Sequence, residues 1–192
     1  MASAPGKCFL VTGPPGVGKT TLVMRVLEKL RNSNPCLNVW GFYTCEVRQD
    51  SERVGFEVVT VDGRHGPLAS CLTSSAESLR WPSVGKYKVV ACNFEYILIP
   101  IQVKDDIDLF IIDEVGKMEL FCSTFYPAVL EIIGLNVPIL ASIPIPKFGH
   151  DIPAVARLRN HPGVTVSTLS KSNRDAIKEE IYSRLVGLLQ KE

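Results

Sequence analysis

The sequence carries almost no excess charge: 21 Lys and Arg face 20 Asp and Glu, a formal net charge of +1 over 192 residues. Such a chain projects no long-range field, which argues against nucleic acid or an anionic membrane as its partner. Long apolar runs are missing as well. The most apolar region, from Phe125 to Pro146, is interrupted by Glu131, Asn136 and three prolines. A bilayer span needs about 20 consecutive apolar residues, so this stretch reads as a buried helix followed by a buried strand. Histidine is scarce, with 3 in the chain, and the 6 cysteines (Cys8, Cys36, Cys45, Cys71, Cys92 and Cys122) contain no C-x-x-C pair. Zinc ligation needs clustered Cys or His at ligand spacing, and that spacing is absent. No leader segment precedes the cysteines, so the expectation is reduced thiols in the cytoplasm, with nuclear access left open. Internal repeats and low-complexity tails are also lacking.

What is present is an alternation of apolar runs and helical patterns, the signature of an α/β protein with a mostly parallel sheet in one domain spanning residues 1–192. Strands are expected at Lys7–Thr12, Tyr87–Cys92, Asp108–Ile112, Val137–Ile143 and Val164–Val166. Helices are expected at Lys19–Arg31, Ser123–Leu135, Ile152–Asn160 and Asn173–Gln190. In the first, Leu22, Val23, Val26, Leu27 and Leu30 recur at helical spacing; in the last, Ile177, Ile181, Leu185 and Leu188 do. Between them, Val39–Thr44 and Gly55–Val61 flank the polar turn Arg48–Arg53, too short a connection for a crossover helix, and predict an inserted β-hairpin or meander. Residues 62–85, rich in Gly, Pro and Ser, predict a surface loop, and Asn93–Val103 fits either helix or strand.

The sharpest signal is Gly13-Pro14-Pro15-Gly16-Val17-Gly18-Lys19-Thr20, which fits G-x-x-x-x-G-K-[ST], the Walker A pattern, at every fixed position. It follows an apolar strand and opens an amphipathic helix, the context the pattern requires. The glycines let the backbone wrap a polyanion and aim successive N–H groups at phosphates. Lys19 then places a point charge between the β and γ phosphates, and Thr20 offers a hydroxyl to Mg²⁺.

A second site follows from Leu109-Phe110-Ile111-Ile112-Asp113-Glu114, an apolar strand ending in two acids, as a Walker B strand does. In a parallel sheet that end lies at the ligand edge, beside the phosphate loop. Asp113 is placed to hold Mg²⁺, and Glu114 to take a proton from a water attacking the γ phosphate. A water-activating acid suits hydrolysis, whereas a kinase must keep water away from its phosphoryl group. Lys117 either stabilises charge on the γ phosphate or is a solvated loop lysine. Ser142, at a strand end, either faces the phosphate or is an ordinary satisfied serine. Arg48 and Arg53 are either phosphate-binding or finger-type residues, or solvated arginines of the hairpin turn. Near the last helix, Asn173 and Arg174 are candidates for the nucleobase, while Ser172 and Asp175 form a possible capping box. The absence of the N-K-x-D tetrad argues against strong guanine selectivity.

The blocks GPPGVGKTT, Gly41-Phe42-Tyr43-Thr44-Cys45-Glu46-Val47-Arg48, Arg53-Val54-Gly55-Phe56 and Asp113-Glu114-Val115-Gly116-Lys117-Met118-Glu119-Leu120, with the late Asn173-Arg174, carry a resemblance. Together they resemble the family of small P-loop nucleoside-triphosphatases that includes the cancer-related nucleoside triphosphatase. Cys45 departs from that family's pattern, and Arg64–Gly85 matches it poorly. The resemblance implies a RecA/AAA-like three-layer P-loop core that acts alone. It also implies Mg²⁺-dependent hydrolysis of ATP, GTP, CTP and UTP with low base selectivity, Glu114 as the base and Lys117 as a catalytic residue.

The expected site is therefore Gly13 to Thr21, Asp113 to Gly116 (Asp113, Glu114, Val115 and Gly116), Asn173 and Arg174 around the nucleotide. Lys19, Glu114 and Lys117 are expected in the chemistry, and Thr20 and Asp113 on the metal. Two other readings compete: a nucleotide or small-molecule kinase, and a nucleotide-dependent switch ATPase driven by a partner. The expected partners are nucleoside triphosphates, without membrane or nucleic acid. A monomer is expected, an oligomer that lends a finger residue being the alternative.

Overall fold

The structure is a computed structural model that describes residues 6–75, 78–90, 106–146 and 148–190. The described strands form one nine-stranded sheet in the order β5-β6-β4-β3-β2-β7-β8-β1-β9. They are β1 (Cys8–Thr12), β2 (Val39–Gln49), β3 (Glu52–Thr60), β4 (His65–Ser70), β5 (Ser83–Val84), β6 (Tyr87–Val89), β7 (Leu109–Ile112), β8 (Ile139–Ser142) and β9 (Val164–Thr168). The helices are α1 (Lys19–Ser33), α2 (Phe125–Gly134), α3 (Pro153–Arg159) and α4 (Arg174–Leu189). Strands β2, β7, β8, β1 and β9 are parallel neighbours. The hairpin β2–β3 begins an antiparallel extension that runs on through β4, β6 and β5.

Side chains alternate across each strand, so the sheet feeds two cores. In β7, Leu109 and Ile111 pack with Leu22, Val26 and Leu30 of α1 and Ile181 and Leu185 of α4. Phe110 and Ile112 point the other way, against Phe125, Val129 and Ile132 of α2 and Val155 and Leu158 of α3. Helices thus cover both faces, giving the three-layer α/β architecture of a P-loop NTPase. Each buried Leu, Ile or Phe contributes about 1.5–3 kcal/mol relative to exposure. The region from Phe125 to Pro146 forms α2 and β8, and no helix of the described residues is long and apolar enough to cross a membrane.

The chain between residues 62 and 85 is not one loop. His65–Ser70 forms β4, Ser78–Arg80 a turn of 3-10 helix, and Ser83–Val84 the edge strand β5. Leu68 and Ala69 are buried there. Pro67 is accommodated because the register with β3 shifts between Phe56 and Glu57, a bulge that relieves the missing N–H. The ambiguous stretch Asn93–Val103 lies outside the described residues.

Candidate functional site

Three strand ends meet at one edge of the sheet. β1 and β7 are separated by β8, so the phosphate-loop strand and the diacid strand flank a strand that ends in Ser142. Backbone bonds stitch the ends together: Ile143 N–H donates to Val11 O at 2.9 Å, Val115 N–H to Ser142 O at 2.9 Å, and Leu169 N–H to Thr12 O at 2.7 Å.

The loop after β1 is closed by Val17 N–H donating to Pro14 O at 3.2 Å. Pro14, Pro15 and Gly16 are exposed, while Val17 is buried and anchors the turn. Gly18 caps α1 in the left-handed region, with φ 98°, a conformation that costs a residue with a Cβ roughly 1–2 kcal/mol. The first helical bond is Leu22 N–H to Gly18 O at 2.9 Å. The N–H groups of Lys19, Thr20 and Thr21 precede it and form the positive end of the helix.

Lys19 Nζ lies 3.2 Å from Glu114 Oε2. The lysine also reaches Gly13 O at 3.5 Å. Asp113 is fully buried and receives the Ser142 hydroxyl hydrogen bond on Oδ1. Its other oxygen, Oδ2, is buried with no hydrogen-bond partner among the described residues. Burial pushes the Asp113 carboxyl above its ordinary value, against the Ser142 and Thr20 hydroxyls and the Lys19 charge, which favour the ionised form. Lys19, Thr20, Asp113, Glu114 and Ser142 thus share one site.

Lys117 is exposed on the turn after the buried Val115 and Gly116. On the other flank of the loop, Gly18, Thr21, Arg25, Arg174 and Lys178 line a cavity of about 170 Å³. Arg174 lies against Gly18, its Nη1 3.5 Å from where a glycine Cβ would sit. The cap of α4 is Asn173 rather than Ser172, and no side chain bonds into the helix there. The Asn173 amide instead ties the β9–α4 loop, accepting from Ser170 N–H at 2.7 Å and donating to Thr168 O at 3.0 Å. Asp175 is drawn to Lys178, 3.2 Å away. Local pairing therefore displaces the predicted capping box.

Arg48 and Arg53 share one acid. Arg48 donates to Glu46 Oε2 at 2.7 Å, and Arg53 to Glu46 Oε1 at 2.7 Å and to the Tyr87 hydroxyl at 3.0 Å. These bonds hold the Glu46 carboxyl below its ordinary value. Because β2 continues past the end of β7 after Phe42, this cluster projects beyond the sheet edge that carries the site.

Sequence reasoning left one site-adjacent residue unused, Glu119. It is buried at the start of a 3-10 turn, Glu119–Phe121, with Oε2 accepting the Gly116 N–H at 3.1 Å. Its only sequence signal is membership of the DEVGKMEL block.

The pattern of the family described as NTPase matches residues 8–182. The chain is 39% identical over 180 residues to the cancer-related nucleoside-triphosphatase of Homo sapiens, covering 90% of this chain and 93% of that one. It is 38% identical over 188 residues to nucleoside-triphosphatase THEP1 of Aquifex aeolicus, covering 92% and 98%. The solution structure of the human protein superposes with a TM-score of 0.78 at 37% identity, over 96% of this chain and 98% of that one. The crystal structure of Aquifex aeolicus THEP1 superposes with a TM-score of 0.75 at 37% identity, over 92% and 98%. A P-loop fold, a lysine and two carboxylates at one sheet edge, and these relatives over nine-tenths of its length agree: the chain belongs to the NTPase family of nucleoside-triphosphatases.

Proposed function

We propose that this chain hydrolyses ATP, GTP, CTP and UTP, with little choice among bases, to the nucleoside diphosphate and phosphate in a Mg²⁺-dependent reaction. The observation that carries the reading is the Lys19–Glu114 pair at 3.2 Å beside the buried Asp113. Backbone N–H groups of Gly16 and of Gly18 to Thr21 bind the phosphates within the Gly13–Thr21 loop, and Lys19 supplies charge between the β and γ groups. Glu114 takes a proton from a water in line with the γ phosphorus. The water oxygen bonds to the γ phosphorus as its bond to the β–γ bridging oxygen breaks, so the nucleoside diphosphate leaves and phosphate remains. Lys117 reaches the developing charge from its turn, with Val115 and Gly116 shaping the wall below it. Arg174 offers a planar cation on which any base can stack, next to Asn173 and the cavity beside Gly18.

The donors suit magnesium. Asp113 presents a buried oxygen without a hydrogen-bond partner among the described residues, and Thr20 adds a hydroxyl; both are the hard oxygen ligands that Mg²⁺ prefers. Asp113 and Thr20 would hold the ion, which would neutralise negative charge on the triphosphate. The kinase reading needs free lid arginines, yet both Arg48 and Arg53 are engaged by Glu46. In this reading the chain works as a single-domain monomer in the cytoplasm.

The test is phosphate release from the four nucleotides, without an acceptor, in wild type, Lys19→Ala and Glu114→Ala. Steady release from all four, lost in both variants, is expected. Release from none, or release that requires an added phosphoryl acceptor, overturns the reading.

A further inference from the structure

Glu119 is a buried carboxyl that the proposed chemistry does not use. It is 5% exposed. A Cβ built on Gly116 would stand 2.8 Å from Glu114 Oε1 and 3.0 Å from Glu119 Oε2, so the two carboxyl groups face the same small space over Gly116. Glu114 is engaged on one side by Lys19, which meets its Oε2 at 3.2 Å, while its Oε1 faces the Gly116 turn to which Glu119 bonds.

The charges facing Glu119 are few. Glu114 and Asp113 act on it from the end of β7. Lys117, on the turn that precedes it, is exposed. Two crowded carboxyls do not both ionise cheaply, and the deeper one keeps its proton. Burial first, then Glu114 and Asp113, push Glu119 up to about 8; the N–H of Gly116 and its own backbone pull the other way.

We propose that Glu119 is a positioning residue: its buried carboxyl fixes the turn through Gly116 and keeps Glu114 oriented as the general base. The inference rests on Glu114 being that base. Once Glu119 loses its proton, a further negative charge stands beside those of Glu114 and Asp113. That charge opposes binding of a polyanionic substrate and disturbs the pairing of Glu114 with Lys19.

The experiment compares kcat and KM for Mg-ATP between about pH 6 and 9.5 in the wild type, Glu119→Gln and Glu119→Ala, with carboxyl carbon NMR titration of Glu119 in wild type and Glu114→Gln. Glutamine keeps an acceptor for the Gly116 N–H and replaces the acidic proton with an amide that cannot ionise. Expected are an alkaline loss of wild-type activity, Glu119→Gln near wild type at pH 7 without that loss, and Glu119→Ala lower by ~10–100-fold. Glu119 titrates in the alkaline range in wild type and moves down in Glu114→Gln. The proposal is overturned if Glu119→Gln is as inactive as Glu119→Ala, or if it keeps the alkaline loss. It is also overturned if Glu119 titrates as an ordinary carboxyl or ignores the Glu114 substitution. Undiminished hydrolysis by Glu114→Gln sinks the general-base reading itself, a result none of the Glu119 variants can produce.

Discussion

Lys19 Nζ and Glu114 Oε2 meet at 3.2 Å across the gap between the phosphate loop and the end of β7. In the proposed reading, the cation for the triphosphate is thus compensated by the acid for its attacking water. An incoming γ phosphate must compete with Glu114 for that lysine. Glu114→Ala removes the competitor, so nucleotide affinity is expected to stay level or tighten while hydrolysis falls by ~10²–10⁴-fold. Titration with a fluorescent nucleotide, paired with phosphate release, checks both. Weakened binding in this variant would show that Glu114 supports the phosphate site rather than the chemistry.

Ser142 controls the other acid. Its hydroxyl donates to Asp113 Oδ1 in a fully buried contact. Ser142→Ala leaves Asp113, already raised by burial, with less support for its charge. The apparent Mg²⁺ affinity of hydrolysis is expected to fall by ~10–100-fold, the usual cost of losing an outer-shell partner. The buried bond also costs about 1–3 kcal/mol of stability when one partner is removed. A magnesium titration of activity, alongside a melting curve, separates the two effects, and an unchanged magnesium dependence counts against Asp113 as the metal ligand.

The phosphate loop and the diacid strand were legible because their signals are local: a fixed spacing of Gly13, Gly18 and Lys19, and an apolar run ending in Asp113 and Glu114. Helices α1 and α4 were equally plain, since their buried faces repeat at helical spacing. Strand neighbours are a tertiary property, so nothing local said that β8 separates β1 from β7 or that Ser142 meets Asp113. β4 was hidden by Gly66 and Pro67, which read as a loop until the bulge opposite Glu57 accommodates them. Glu119 has no local signal of its own in Met118-Glu119-Leu120, and only the packing around Gly116 shows it buried.

Two glycines make a stability contrast. Gly41 of β2 has φ +122°, and an added Cβ would come within 1.8 Å of the Ile111 carbonyl oxygen. β2 and β7 pair there, so neither backbone can yield without opening the sheet. Gly41→Ala is expected to cost more than about 4 kcal/mol, the range of the most disruptive substitutions, and to yield little folded protein. Gly187, inside α4, has nothing within 4 Å of its added Cβ. Gly187→Ala should stabilise by up to about 1 kcal/mol through backbone entropy. Denaturant midpoints of the two variants should move in opposite directions.

The arginines on the hairpin provide a test of the finger reading. Arg48 and Arg53 both pair with Glu46, with side chains 57% and 44% exposed. Exposed pairs contribute about 0–1 kcal/mol, so Arg48→Ala should melt near wild type. Arg53→Ala should lose somewhat more, because Arg53 also lies over the rings of Phe56 and Tyr87. Neither should reduce kcat by the ~10³–10⁵-fold that a finger supplies. A loss of that size in either variant would make the hairpin part of the catalytic apparatus.

Glu119 should also be visible in stability, apart from any activity. Its folded form keeps a proton up to about 8, against an ordinary 4.5 when exposed. Below the lower value both states are protonated and the group favours neither. Between the two, the folded protein binds more protons than the unfolded chain, so stability falls as pH rises. The fall is at most about 1.4 kcal/mol per pH unit, and it is complete once the folded form has ionised. Glu119→Gln cannot titrate and should lack this slope, gaining on wild type steadily from mildly acidic to mildly alkaline pH. Asp113, raised by burial as well, is present in both proteins and largely cancels in the comparison. Denaturant unfolding of both at a series of pH values reads the difference, and parallel curves would mean that Glu119 is ionised in the folded protein throughout.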